Sequence, residues 1–295
     1  MLQRIKLAEE YIKKNNVTND TLYHYCPQAS MLNIISSGEL WFGRTRYMND
    51  KLEVKYFVEE VGRCLRENVS PNKSELCNSI LNDVDNELNR DKRYLFCMTE
   101  QRDDAAQWER YADNAHGVSI GFNTKTLIAA LNFSSLLFTR VWYGYDPCDH
   151  EICEVLTQYI EHGRLTEGFS DIKDIISNLL IGAVRYKHSS FQSEKEWRLG
   201  NYFGDQFKEK PGQHKKCLNS IHQDYKMVNE VIRDVLVVDL EALCSEIQVE
   251  FDDLFNEIII GPRSRQTVDE LQGYLRMQGH QKLAEKVTKT TCPLR

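Results

Sequence analysis

The sequence predicts the α+β class, with one mixed domain in which strands and helices are interspersed. Three observations support this. Short aromatic or β-branched runs recur along the chain: TLYHY, ELWFG, YLFCMT, VSIGF, DVLVVDL and NEIIIG. Between them, apolar residues repeat at helical spacing. No internal repeat, low-complexity tract or linker interrupts the 295 residues, a length that suits one large domain or two small ones.

The elements follow in order. Leu2, Ile5, Ala8 and Ile12 predict an N-terminal helix that NNVTND ends, so residues 1–20 are set apart from a domain spanning 21–295. TLYHY reads as a strand. Pro27 then suits the first turn of a helix whose apolar face holds Leu32, Ile34 and Ile35, and Gly38 closes it. ELWFG is a second strand. Asn49 or Asp50 caps a helix bearing Leu52, Tyr56, Val61 and Leu65, and Leu76, Ile80, Val84 and Leu88 mark another after VSPN. YLFCMT, at 94–99, is a near-continuous apolar strand of the buried kind. A short helix over RDDAAQWERYADNAHG is capped at Asp103 or Asp104 and ends near Gly117. VSIGF, a brief helix from Thr124 and a strand around LLFTRVWY come next, and 151–187 is mostly helical. EKEWRLG alternates as a half-buried strand does, DVLVVDL and NEIIIG are two further strands, and Gln266–Met277 is a late helix. The stretch 205–228 has no clear period and reads as an exposed loop.

Composition narrows the classes of function. A net charge of -7 argues against a basic nucleic-acid footprint over the whole surface. A local patch remains open, because Lys208, Lys210, Lys215 and Lys216 crowd the 205–228 stretch. No run reaches 18 apolar residues, so no membrane span is expected, and the charged amphipathic start is unlike a signal peptide. Nine scattered cysteines without a CxxC pair predict a reduced, cytoplasmic protein.

Three groups of residues are candidates for chemistry. On a strand, His24 shares a side with Leu22, while Tyr23 and Tyr25 share the other. Such a histidine either satisfies a backbone group in the core or presents a donor to a polar ligand at a cleft. In SEKEWRL, strand alternation sends Glu194, Glu196 and Arg198 to one face. Two carboxylates so close raise one another's pKa unless a cation such as Arg198 intervenes. They form a solvated strand face, or else they hold a ribose hydroxyl and stabilise an oxocarbenium-like centre. Trp108 and Tyr111 lie at i and i+3 of one helix, where they pack on a sheet or stack on a flat heterocycle. Tyr47, after the second strand, competes for the stacking role.

Other signals select little. Cys148, His150 and Cys153 in CDHEIC fit no common zinc spacing. No glycine-rich phosphate loop is present, and GVSIGF lacks the lysine. A thiol nucleophile at Cys26 or Cys97 beside His24 can be drawn, but no spacing selects it. GPRSR, at 261–265, brings Arg263 and Arg265 near a helix start, where an anion can bind, but it reads equally as a turn.

The ordered set LYHY, GELWFG, YMND, LFCMTE, QWERYA, GVSIGF, EKEWRL and NEIIIGPR, over about 20–266, resembles a bacterial family known mainly as a domain of unknown function. More distantly, a strand carrying Y-H-x-C, a helix closed by glycine and then LW are similar to the opening of ADP-ribosyltransferases of the His–Tyr–Glu type. That resemblance implies a split, mostly antiparallel sheet flanked by helices, with NAD as substrate and no metal. It implies that His24 holds a ribose, that Tyr111 or Tyr47 stacks on nicotinamide, and that Glu196 or Glu194 is the late catalytic glutamate. Tyr25, Trp108 and Arg198 complete the expected site. Cys26 departs from the pattern, standing where a threonine or serine hydroxyl often follows the histidine. The expected activity is ADP-ribosyl transfer to a macromolecular acceptor, protein or nucleic acid, by a toxin or anti-phage effector with an antitoxin or defence partner. A non-catalytic nucleotide sensor and a metal-dependent nuclease or hydrolase remain as alternatives.

Overall fold

The computed structural model describes residues 2–14, 17–45, 52–90, 93–131, 136–144, 151–164, 171–201, 220–228 and 230–294. In chain order these form α1 (Leu2–Lys14), β1 (Thr21–Cys26), α2 (Gln28–Ser37), β2 (Glu39–Arg44), α3 (Leu52–Asn68), α4 (Ser74–Arg90), β3 (Tyr94–Thr99) and α5 (Ala105–Tyr111). Then come β4 (Val118–Asn123), α6 (Thr124–Leu131), β5 (Leu137–Arg140), β6 (Trp142–Tyr143), α7 (Glu151–His162), α8 (Ile172–Ala183), β7 (Tyr186–Lys187) and β8 (Glu196–Asn201). The last are β9 (Ile221–Val228), β10 (Val231–Asp239), α9 (Leu240–Ile247), β11 (Phe255–Ile260), α10 (Val268–Met277), α11 (Gln281–Ala284) and β12 (Val287–Lys289). Among the described residues no helix is long and apolar enough to cross a membrane.

The α+β class is as expected: a mostly antiparallel sheet flanked by helices. Its main path runs β12-β11-β4-β1-β3-β2-β10-β9, and β8, with β5 beyond it, pairs along the other edge of β3. Within this sheet β12 joins β11 in parallel. The sheet divides at β3. One edge of that strand pairs with β2 through Gly43–Leu95 and Arg44–Tyr94, and with β1 through Tyr23–Thr99. Between those registers β1 and β2 part, and the opening positions the site.

One face of the sheet carries the main core. Leu40, Phe42, Phe96, Met98, Trp197, Leu199, Leu236 and Val238 alternate onto it and pack with Leu22, Ile120 and Ile258. The period of two leaves Cys97, Arg198 and Glu196 on the opposite face. A second core, from Phe57 and Val61 of α3, Ile80 and Val84 of α4, Leu156 of α7 and Leu179 of α8, joins four amphipathic helices.

Several elements differ from expectation. Residues 221–228, expected in a loop, are the antiparallel partner of β10. Ile221 is the one buried residue of this strand, and Tyr225 and Met227 stand exposed among polar neighbours, so no apolar period marks it. Residues 205–219 of that lysine-bearing stretch, and the Asn49 and Asp50 caps, lie outside the described residues. LLFTRVWY holds two strands, and β6 leaves the main sheet to pair with β7 in parallel. The α5 helix stops at Tyr111, and Asp113, Asn114 and Ala115 then take left-handed conformations (φ 50°, 50° and 70°) before Gly117. Between them, Asp104 is the cap, accepting from the Gln107 amide at 3.0 Å. EKEWRLG is not one strand. Glu194 ends a 3₁₀ turn, Lys195 is left-handed at φ 43°, and the strand begins at Glu196.

Candidate functional site

A cavity of about 680 Å³ opens where β1 and β2 part along β3. His24, Tyr25, Cys97, Tyr111, Glu194 and Glu196 all line it.

His24 enters from β1. Its Nδ1 lies 2.8 Å from the carbonyl oxygen of Cys97, which faces the gap between the strands. A carbonyl can only accept, so Nδ1 carries the proton and Nε2 is left as an acceptor. The ring stacks on Phe96 with centroids 4.2 Å apart. Burial pushes the imidazole down to about 4, with the Cys97 carbonyl opposing, so the ring is neutral at physiological pH.

Glu196 enters from β8, opposite Thr99 of β3. Arg198, two residues along and on the same face, grips it through Nε at 2.7 Å to Oε1 and Nη2 at 3.0 Å to Oε2. Lys187 of β7 adds a third contact, 3.1 Å to Oε2. Burial alone would raise this carboxyl, but Arg198 and Lys187 outweigh it and hold it at about 2. Burial and the nearby Glu196 carboxylate push the Cys97 thiol well up. Cys97 thus lies between the two walls, its carbonyl bonded to His24 and its thiol on the Glu196 side of the sheet. A carboxylate has about four acceptor positions. Arg198 and Lys187 fill three of them, so Glu196 keeps about one for a ligand.

Glu194 reaches the same place from the 3₁₀ turn. Its Oε2 takes Lys187 Nζ at 2.6 Å, and its Oε1 takes the Tyr111 hydroxyl at 3.0 Å and Arg110 Nη1 at 3.1 Å. Lys187 lies between the two buried carboxylates, 2.6 Å from one and 3.1 Å from the other, and its charge faces both. The Tyr143 hydroxyl fixes the start of β8 by accepting from the Glu196 amide at 2.7 Å.

The expected residues divide as follows. His24, Tyr25, Tyr111, Glu194 and Glu196 come together on the cavity. Tyr25 is held by its hydroxyl, which donates to the Gln101 carbonyl at 2.9 Å and accepts from the Asp104 amide at 3.2 Å. Trp108 is wholly buried away from the cavity. It meets Tyr25 edge-on at 4.8 Å and donates its indole N–H to Asp103 at 2.7 Å. One helix face thus splits its two rings, with Trp108 supporting Tyr25 from behind and Tyr111 at the cavity mouth. Arg198 is buried beneath Glu196 and also donates to the Val184 carbonyl at 2.7 Å, so it positions the carboxylate from below. Tyr47 lies outside the described residues. The late turn places Arg263 against Asn114 at 2.8 Å, and the start of α10 is closed by a capping box of Thr267 and Glu270. Cys148 and His150 lie outside the described residues, and Cys153 is buried in α7.

Sequence reasoning missed Lys187, and named Cys97 only as one of two thiols that no spacing selects. A lysine is read as exposed by default. The signal for Lys187 was indirect: two carboxylates a residue apart need more cation than Arg198 supplies.

Residues 107–199 match the family model described as “Protein of unknown function (DUF2971)”. The matched segment falls inside the span of the resemblance and contains Tyr111, Lys187, Glu194 and Glu196, the acidic half of the cavity, with Arg198 beneath it. His24 lies before it. No curated protein and no solved structure matches the chain.

Proposed function

We propose that the chain is an NAD-dependent ADP-ribosyltransferase acting on a macromolecular acceptor. One observation carries the reading: His24 and Glu196, distant in sequence, both line one cavity at a split in the sheet, His24 reaching the opening from the Phe96 side, with Tyr111 at its mouth. The neutral His24 accepts a ribose hydroxyl at Nε2. Glu196, ionised at every physiological pH, takes the neighbouring hydroxyl at its remaining acceptor position. A fixed carboxylate then meets the positive charge that grows on the sugar as the C1′–N bond to nicotinamide lengthens. The departing ring rests against Tyr111, whose hydroxyl Glu194 anchors. Arg110, half-exposed at the rim, supplies a cation for the diphosphate.

The test is nicotinamide release from NAD, alone and with cell extract carrying labelled NAD. Glu196→Gln is expected to lower release by roughly 10²–10³-fold, with an unchanged far-ultraviolet spectrum. Undiminished release from that variant would falsify the assignment.

A second reading is a nucleotide-sensing module without turnover. Its support is the heavy engagement of Glu196, which Arg198 and Lys187 already bond three times. It predicts saturable NAD binding by the wild-type chain with no nicotinamide released over long incubation.

A further inference from the structure

Beyond Cys97, the cavity continues over β2. Glu39, Trp41 and Gly43 share the cavity face of that strand, two strands away from Glu196. At about 4.8 Å per strand this sets them roughly 10 Å across the floor. The chemistry proposed above uses none of them. Gly43 keeps the floor open, because a Cβ built there meets no atom within 4 Å. Beside it stands the half-buried indole of Trp41, whose Nε1–H is held by Glu39 Oε2 at 2.9 Å. Lys226 Nζ lies 3.5 Å from the same oxygen and 5.3 Å from the ring centroid. The indole plane is therefore fixed, and Glu39 Oε1 has no partner among the described residues.

A fixed aromatic face suits stacking on a base. A single open carboxylate oxygen suits one N–H donor and repels a carbonyl edge. Guanine presents adjacent N1–H and N2–H donors that need both oxygens, and Oε2 is already taken. Among bases whose edge offers one exocyclic amine, adenine covers more of the indole than cytosine does. We infer that the β2 arm of the cavity receives the base of an adenine nucleotide, stacked on Trp41 with its exocyclic amine donated to Glu39 Oε1. The inference deepens the NAD reading and rests on it for the rest of the ligand, but not for the base.

Calorimetric titration of the full chain with AMP, GMP and CMP tests it. AMP is expected to bind wild type best. Gly43→Val, which fills open space, and Trp41→Ala are each expected to weaken AMP at least tenfold, while Arg63→Gln, on the exposed face of α3 away from the cavity, leaves AMP affinity within twofold. Melting curves confirm that each variant folds. The inference is overturned if wild type binds no AMP, if GMP or CMP binds as tightly, or if both β2 variants retain full affinity. AMP binding as expected without NAD binding or turnover sinks the NAD reading and leaves the adenine arm standing. NAD turnover with both β2 variants at wild-type affinity for AMP does the reverse.

Discussion

At the scale of single residues, the placement of His24 has a consequence for stability. Its folded value of about 4 lies below the ordinary 6.5, chiefly through burial. Between those values the unfolded chain binds a proton that the folded chain refuses. The contribution is therefore complete above pH 6.5 and is lost as pH falls toward 4, by at most about 1.4 kcal/mol per pH unit. Glu196, held at about 2, contributes in a lower window, from its ordinary 4.5 downward, so pH 6.5 to 4.5 separates the two. Denaturant unfolding of wild type should weaken across that window more steeply than unfolding of His24→Gln. Equal slopes would mean that the imidazole titrates normally and is not shut into the gap. His24 was legible as a candidate because it is a titratable group set among aromatic neighbours, and Glu194 and Glu196 because two carboxylates two residues apart share one expected strand face. Lys187 was not, since nothing local distinguishes a lysine that two carboxylates will draw inward. Trp108 was half legible: the spacing put it with Tyr111, but an i, i+3 pair does not say which ring faces a cavity and which the interior.

At the scale of elements, the turn after α5 holds the acidic and histidine halves together. Gly117 follows the left-handed run Asp113–Ala115, and a Cβ on it would stand 2.2 Å from the Cys26 carbonyl at the end of β1. Backbone cannot yield as a side chain can. Gly117→Ala should therefore cost about 3 kcal/mol, the upper part of the range for overpacking. Urea unfolding reads this directly, and a loss below 0.5 kcal/mol would show that β1 is free to shift. Strands with clean apolar runs, such as YLFCMT and NEIIIG, were readable because burial on both faces leaves little room for polar residues. The β9 strand was not, because an exposed edge tolerates His222, Gln223 and Asp224. The break at Lys195 was hidden for a related reason. A left-handed residue followed by a strand mimics the alternation of one longer strand, so Glu194 and Glu196 were expected on one face. They converge by a turn and a strand, with Lys187 between them.

At the scale of the whole molecule, the split governs how a ligand should be felt. The β12-β11-β4-β1 group and the group containing β3, β2, β8 and β10 meet at the Tyr23–Thr99 register, and the cavity draws its walls from both. A ligand held by His24 on one side and Glu196 on the other ties the groups together. Its binding energy then opposes their separation, as well as stabilising each strand locally. At a free concentration 100 times the Kd, that amounts to about 2.7 kcal/mol of added stability. Hydrogen exchange resolves where it acts. With saturating NAD, amides of β1 and of β3 and β8 should slow together, while α3, α4, α7 and α8, which pack around a core of their own, change little. Slowing on β8 alone would place NAD on the acidic wall without His24 and end the bridging account. Slowing on β1 alone would do the same from the other side. Equal slowing everywhere, helices included, would mean that ligand binding opposes global unfolding only, with no local link across the split. Joint slowing on both sides, retained in Glu196→Gln and lost in a double variant that also carries His24→Ala, is the pattern expected of a site built from two halves of one divided sheet.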